Sequence, residues 1–172
     1  MLEYIITDFE KSRLTFSDSS IGGMVVCDSS EQAMEMFRIF NEKYTLKPEQ
    51  EEELLQAAEP EKKYKAKLKR SYKVKSAALI LDKYGTKEER KKWVEDFKEG
   101  EIDFLFVFNM LLTGFDAKRL KKLYIGRVIK RHNLLQTLTR VNRTYKNFKY
   151  GYVVDFADIR AEFDATNKAY FD

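Results

Sequence analysis

Residues 102–108 read Ile102-Asp103-Phe104-Leu105-Phe106-Val107-Phe108, apolar at six of seven positions and without alternation. A strand with one wet face alternates apolar and polar residues, because successive side chains point to opposite faces. A run apolar in both phases needs cover on both faces, which a parallel sheet obtains from the helices of its crossover connections. The stretch is therefore read as the central strand of a mainly parallel sheet. Outward from it lie four further short apolar runs, Met24–Cys27, Ala78–Asp82, Leu123–Ile125 and Tyr152–Phe156. Helix-period segments separate them, and this alternation assigns the chain to the α/β class, a mainly parallel central sheet flanked by helices in three layers.

Helix starts are marked where a side chain can satisfy the free N–H groups of a first turn. Ser29 with Gln32, Thr86 with Glu89, and Asn133 with Gln136 carry that spacing. After Ser29, the residues Ala33, Met36, Phe37 and Phe40 fall on one helical stripe, and after Thr86 the helix runs past Trp93 and Phe97 to a stop at Gly100. Residues 41–76 differ: they hold both prolines, and Glu59–Lys75 contains eight basic side chains against two acidic ones. An exposed, charged helical insert is expected there, with a solvated face weighed against a nucleic-acid contact because Tyr64 and Tyr72 interleave the lysines.

A length of 172 residues suits one domain. The net charge is only +4, yet Ala117–Val154 has eleven Lys and Arg and no Asp or Glu, which makes that half the expected electrostatic footprint for a polyanion. The single cysteine, Cys27, excludes an internal disulfide and a cysteine metal cage, and its apolar neighbours predict a buried thiol. No signal-peptide pattern begins the chain and no apolar run approaches the roughly 18–20 residues that span a bilayer, so a cytoplasmic location without membrane contact is expected.

Asn133–Thr144 carries the candidate chemistry. Projected as a helix, Gln136, Arg140 and Arg143 share one face, and Leu134, Leu138 and Val141 lie opposite. Guanidinium is always charged and donates in a planar fork, which suits a phosphate gaining charge during transfer. Ordinary solvated arginines on an amphipathic helix fit the spacing equally well. His132, the only histidine, is expected to be a helix-entry residue, lying before the helix, rather than a ligand, and Asp155, without further carboxylates, a structural one.

The order of segments adds a resemblance. Gln136-Thr137-Leu138-Thr139-Arg140-Val141-Asn142-Arg143 is similar to the sixth motif of superfamily 2 helicases, and Leu111-Leu112-Thr113-Gly114-Phe115-Asp116 resembles the fifth, placed directly after a strand. Gly85–Arg90 leading to Phe97–Gly100 resembles the segment between those strands. Thr139 replaces a glycine usual in the general pattern, and Phe108 stands where many helicases carry a threonine. From about Ser76 to Asp158 the wording resembles the motor subunit of type I restriction enzymes, an ATP-dependent endonuclease and DNA translocase.

That resemblance implies that residues 1–172 form the second RecA-like domain, with the insert at about 41–76. It further implies that Arg140 and Arg143 approach the ATP γ-phosphate as arginine fingers and that Gln136 supports them. Gly114 would permit a tight turn, Asp116 would approach the ribose or couple the nucleotide to the DNA track, and Asn109 and Thr113 would touch the nucleic-acid backbone at the C-terminal edge of the sheet. The chain has no Gly-x-x-x-x-Gly-Lys-Ser/Thr loop. ATP and Mg²⁺ are therefore expected to be held mainly by a preceding domain, and this chain alone is expected neither to hydrolyse ATP nor to cut DNA. The implied partners are double-stranded DNA, the first RecA-like domain of the same subunit, and modification and specificity subunits. Two other readings stay open: half of another superfamily 2 DNA-repair or RNA helicase, and a basic nucleic-acid-binding module that works without ATP.

Overall fold

The computed structural model describes residues 1–45, 52, 56, 59–112 and 115–171. In chain order the elements are α1 (Leu2–Phe16), β1 (Gly22–Val26), α2 (Ser30–Lys43), α3 (Pro60–Ser71), β2 (Ala77–Ile80), α4 (Lys87–Glu99), β3 (Phe104–Val107), β4 (Leu120–Ile125), α5 (Arg131–Val141), β5 (Tyr152–Asp155) and α6 (Arg160–Phe171). The five strands form one sheet in the order β2-β3-β1-β4-β5, parallel throughout. All five apolar runs are strands, each within a few residues of its expected ends. The centre of the sheet is β1, however, and β3 lies one place from it. Complete burial on both faces, which β3 has, cannot separate the middle strand from its interior neighbour.

Side chains leave the sheet in two sets. Met24, Leu105, Val107, Leu123 and Ile125 meet Phe97 of α4 and Leu134 and Val141 of α5. Val25, Leu79, Phe106 and Tyr124 meet Ile5, Ile6 and Phe9 of α1 and Ala33 and Phe40 of α2. The start of β1 shows how closely the layers sit. A Cβ on Gly22 would fall 2.6 Å from the Phe97 ring, and one on Gly23 would fall 2.5 Å from the Phe104 ring. Each glycine thus makes room for an aromatic ring packed against the strand.

The caps expected at Ser29 and Thr86 are present. The Ser29 side chain accepts from Gln32 N–H, Thr86 and Glu89 form a reciprocal capping box, and Gly100 ends α4 at φ 91°. The third start differs. α5 begins at Arg131 rather than after Asn133, with Lys130 as an N-cap that makes no side-chain cap bond, and it ends at Val141. Arg143 therefore stands beyond the helix, and a face shared by Gln136, Arg140 and Arg143 is not formed. α1, a helix not anticipated from the sequence, buries a Leu2, Ile5, Ile6, Phe9 stripe at 3.6-residue spacing. In the charged insert, α3 is exposed at most of those of its side chains that are described, Arg70 being half-buried, and residues 46–50 and most of those up to 58 lie outside the described residues.

Cys27 is buried as expected, and loss of hydration pushes its thiol up to about 12. No helix among the described residues is long and apolar enough to cross a membrane.

Candidate functional site

The sheet edge from which the strands start is held by cations that donate to backbone carbonyls. Arg119, immediately before β4, is 5% exposed; its guanidinium donates to the carbonyls of Ser20 (2.8 Å), Phe97 (2.7 Å) and Ile102 (2.8 Å) and lies over the Phe97 ring. Arg13 of α1, 1% exposed, donates to the Ile21 and Lys73 carbonyls and pairs with Asp103 at 2.8 Å. One carboxylate thus serves two buried guanidiniums, since Asp103 is also 3.9 Å from Arg119. Burial lowers the Arg119 pKa from its ordinary value, with Asp103 opposing that shift. Lys121, two residues further along and 1% exposed, donates to the carbonyls of Val141 and Arg143.

This scaffold brings together two segments distant in sequence. Asp116, in the loop ahead of β4, faces Arg143 across 3.4 Å, with both side chains about half exposed. The loop is held down by Phe115 and Ala117, buried in the core cluster on the α4 and α5 side. Beside the pair is a cleft of about 540 Å³ lined by Ser20, Gly100, Asp116, Lys118, Arg119 and Tyr145, among others. Arg140 sits in the last turn of α5, half-buried, and its Nε has no hydrogen-bond partner among the described residues. Gln136 contacts His132 one turn earlier, at 2.6 Å between the amide nitrogen and the ring Nε2, and neither arginine. His132 lies inside the first turn of α5 rather than ahead of the helix, because the helix begins at Arg131.

Asn109 lies at the other edge, two residues beyond the end of β3 and exposed. Nearby, the Arg127 guanidinium is stacked over the Phe108 ring at 4.6 Å and donates to the Phe108 carbonyl at 3.5 Å. The candidate residues are therefore divided between two edges. A four-residue strand at about 3.3 Å per residue separates Asn109 from Asp116 and Arg143. Thr113 and Gly114 fall outside the described residues. Asp155 is structural as expected: its carboxylate accepts from the N–H groups of Ala157 and Ile159. Among the described residues no group of three His, Cys, Asp or Glu side chains is placed to hold a metal ion.

The acid-free run from Ala117 to Val154 is not a uniform basic surface. Arg119 and Lys121 are interior, Lys122 pairs with Asp8 at 2.9 Å, Arg143 with Asp116, and Lys146 with Asp18 at 3.7 Å. The acids that neutralise it come mostly from α1 and the turn after it, which a count along the sequence cannot register. The roles of Lys121 and Arg119 escape sequence reasoning for the same reason. A Lys or Arg in a strand is an ordinary edge residue until its carbonyl partners are known.

The comparisons agree with this architecture. A family model for type I restriction enzyme subunit R domain 3 matches residues 19–158. A Methanocaldococcus jannaschii protein named as a type I restriction enzyme endonuclease subunit is 47% identical over 86 residues, which covers 48% of this chain and 8% of that protein. The chain thus spans less than a tenth of the length of this relative. Among solved structures, DEAD-box helicase domain 2 of Mss116p bound to an RNA duplex superposes with a TM-score of 0.57 at 16% identity, covering 96% of this chain and 56% of that one. A fragment reported as an HsdR subunit of a type I restriction enzyme from Vibrio vulnificus gives 0.54 at 16% identity, covering 96% and 27%. The fold is that of a RecA-like helicase domain 2, and the chain belongs to the type I restriction enzyme subunit R domain 3 family.

Proposed function

We propose that this domain is the second half of an ATP-driven DNA translocase within a type I restriction enzyme motor subunit, and that Arg143 and Arg140 supply positive charge to phosphoryl transfer. The observation that carries the reading is the meeting of Asp116 and Arg143 at 3.4 Å, since it joins the two segments that resemble helicase motifs five and six. The pair is exposed, so its guanidinium can exchange a carboxylate for a phosphate without leaving the edge. Arg140 stands one turn before Arg143 at the same helix end, its Nε buried and without a hydrogen-bond partner among the described residues, and the adjoining cleft brings Lys98 and Lys118 together with Glu99 and Asp116.

Phosphoryl transfer asks a protein for position and for charge aimed at oxygens that become more negative, and an arginine supplied from a second lobe is worth about 10³–10⁵ in rate. Here Arg143 and Arg140 would hold those oxygens, Asp116 would bind the sugar once Arg143 turns to the phosphate, and closure of this domain on its partner lobe would couple the step to movement. Mg²⁺ and the triphosphate cradle belong in this reading to the preceding RecA-like domain. Asn109 at the opposite edge faces the double-stranded DNA, and modification and specificity subunits complete the enzyme.

The test is Arg143→Ala in the intact subunit assembled with its partners. DNA-stimulated ATP hydrolysis is expected to fall by about 10³ or more while the dissociation constant for DNA stays within about twofold. Wild-type turnover in that variant removes the arginine from the reaction.

A further inference from the structure

We propose that Lys121 is a positioning residue for Arg143, acting through the backbone at the end of α5; the proposal rests on the reading of Arg143 given above. Lys121 is the second residue of β4, and its ammonium is inside the protein, 1% exposed. Its hydrogen bonds go to two carbonyls, those of Val141 and Arg143, and among the described residues it forms no ion pair with a carboxylate. Burial accordingly lowers its pKa from the ordinary lysine value, with no opposing charge beside it among the described residues.

Such a group is a poor device for stability alone. A buried ammonium loses its hydration, and neutral carbonyls return only part of that loss, so an apolar side chain of equal length often serves a core as well. What the ammonium does provide is geometry. It binds carbonyls two residues apart, one belonging to the last helical residue and the other to the arginine itself. Between them Asn142 has left the helix, at φ −84° and ψ 49°. The two bonds therefore set the direction in which the chain leaves α5, and with it where the Arg143 side chain starts. A positive charge beside the C-terminal carbonyls of a helix is also favourable for the aligned peptide dipoles.

A second feature of the fold restrains the same turn independently. Gly151, immediately ahead of β5, lies so close to the end of α5 that a Cβ there would collide with the Val141 side chain and carbonyl oxygen and stand 2.8 Å from the carbonyl carbon. The helix end is thus held between the Lys121 ammonium and the bare Gly151 backbone. Arg143 itself is about half exposed and pairs across solvent-accessible space with Asp116, so its placement comes from this backbone clamp.

The experiment is a double-mutant cycle in the intact, DNA-activated enzyme, with Lys121→Met, Arg143→Ala and the double variant, reading kcat and KM for ATP together with thermal unfolding. Lys121→Met is expected to lower kcat at least about tenfold with KM within about twofold. In the Arg143→Ala background the same change is expected to alter kcat by less than about twofold, because the group it positions is gone. Losses that multiply in the double variant overturn the positioning role, as does an unchanged kcat in Lys121→Met. Wild-type turnover in Arg143→Ala alone overturns the arginine assignment and the proposal with it, so the two failures are read on different variants. Should the methionine variant not fold, Lys121→Leu, which likewise has no donor, enters the same cycle under the same criteria.

Discussion

At the edge where the strands begin, Arg13, Arg119 and Lys121 are buried and donate to backbone carbonyls from several elements, and the turn that bears Arg143 is held by one of them. At the edge where the strands end, Arg127 lies on the Phe108 ring with a long bond to a carbonyl, and Asn109 is exposed. The first arrangement fixes the backbone from which the Arg143 side chain starts, which in the proposed reaction would limit the reorganisation required when charge develops. The second leaves the side chain adjustable, which suits repeated, interchangeable contact with a phosphate backbone. Cations at the two edges thus differ in how far the surrounding backbone holds them, more than in residue type.

This contrast is put under most strain at Arg143. Replacement by lysine keeps the charge and removes the planar fork, and if a pre-set geometry is what matters, the charge alone will not suffice. We expect Arg143→Lys to lower DNA-stimulated ATP turnover by about 10²-fold or more in the intact subunit. Turnover within a few-fold of wild type would mean that position at this edge is less demanding than its construction implies. Gly151→Ala is the next largest change. Its new Cβ must displace Val141 at the end of α5, an overpacking that costs about 1–3 kcal/mol in chemical denaturation. ATP turnover should fall with it. A variant as stable and as active as wild type would show the helix end to be loosely held.

Much of the sheet is legible from sequence, for a physical reason. Strands buried on both faces by parallel packing read as unbroken apolar runs, so β1, β2 and β3 stand out, while β4 and β5 show only through shorter apolar stretches, and the Thr86 capping box is a local pattern that needs no tertiary partner. The end of α5 is not legible. Periodicity carries a helix through Arg143, because Gln136, Arg140 and Arg143 keep the spacing. What holds its end is Lys121 in the preceding strand and Gly151 ahead of the next, and neither falls in a window of one helix. The charge run shows the same limit: Lys122 and Lys146 look unopposed along the chain and meet Asp8 and Asp18 in space. Asp116 and Arg143 are each legible as motif residues, but their pairing is not.

The Asp116–Arg143 pair separates structure from function at small cost. Two half-exposed groups 3.4 Å apart contribute below about 0.5 kcal/mol to stability, since solvent screens them and both side chains lose freedom. Asp116→Asn should leave the unfolding midpoint nearly unchanged and weaken nucleotide binding several-fold, measured by titration with a non-hydrolysable ATP analogue. A large loss of stability would instead make the pair a structural bridge.

The smallest effect is expected at the other edge. Arg127 would be one point on a long backbone track, so Arg127→Ala should weaken binding of duplex DNA only a few-fold at about 0.15 M salt, alike for unrelated sequences. The slope of log affinity against log salt should fall by about one, as it does when a protein neutralises one phosphate fewer. ATP turnover at saturating DNA should stay within about twofold, because Arg127 and Arg143 stand at opposite ends of the strands. If Arg127→Ala instead lowers turnover at saturating DNA as strongly as a change at Arg143, then the two edges act as one unit. The division of labour between a fixed cation at the start of the strands and an adaptable one at their end would then be wrong.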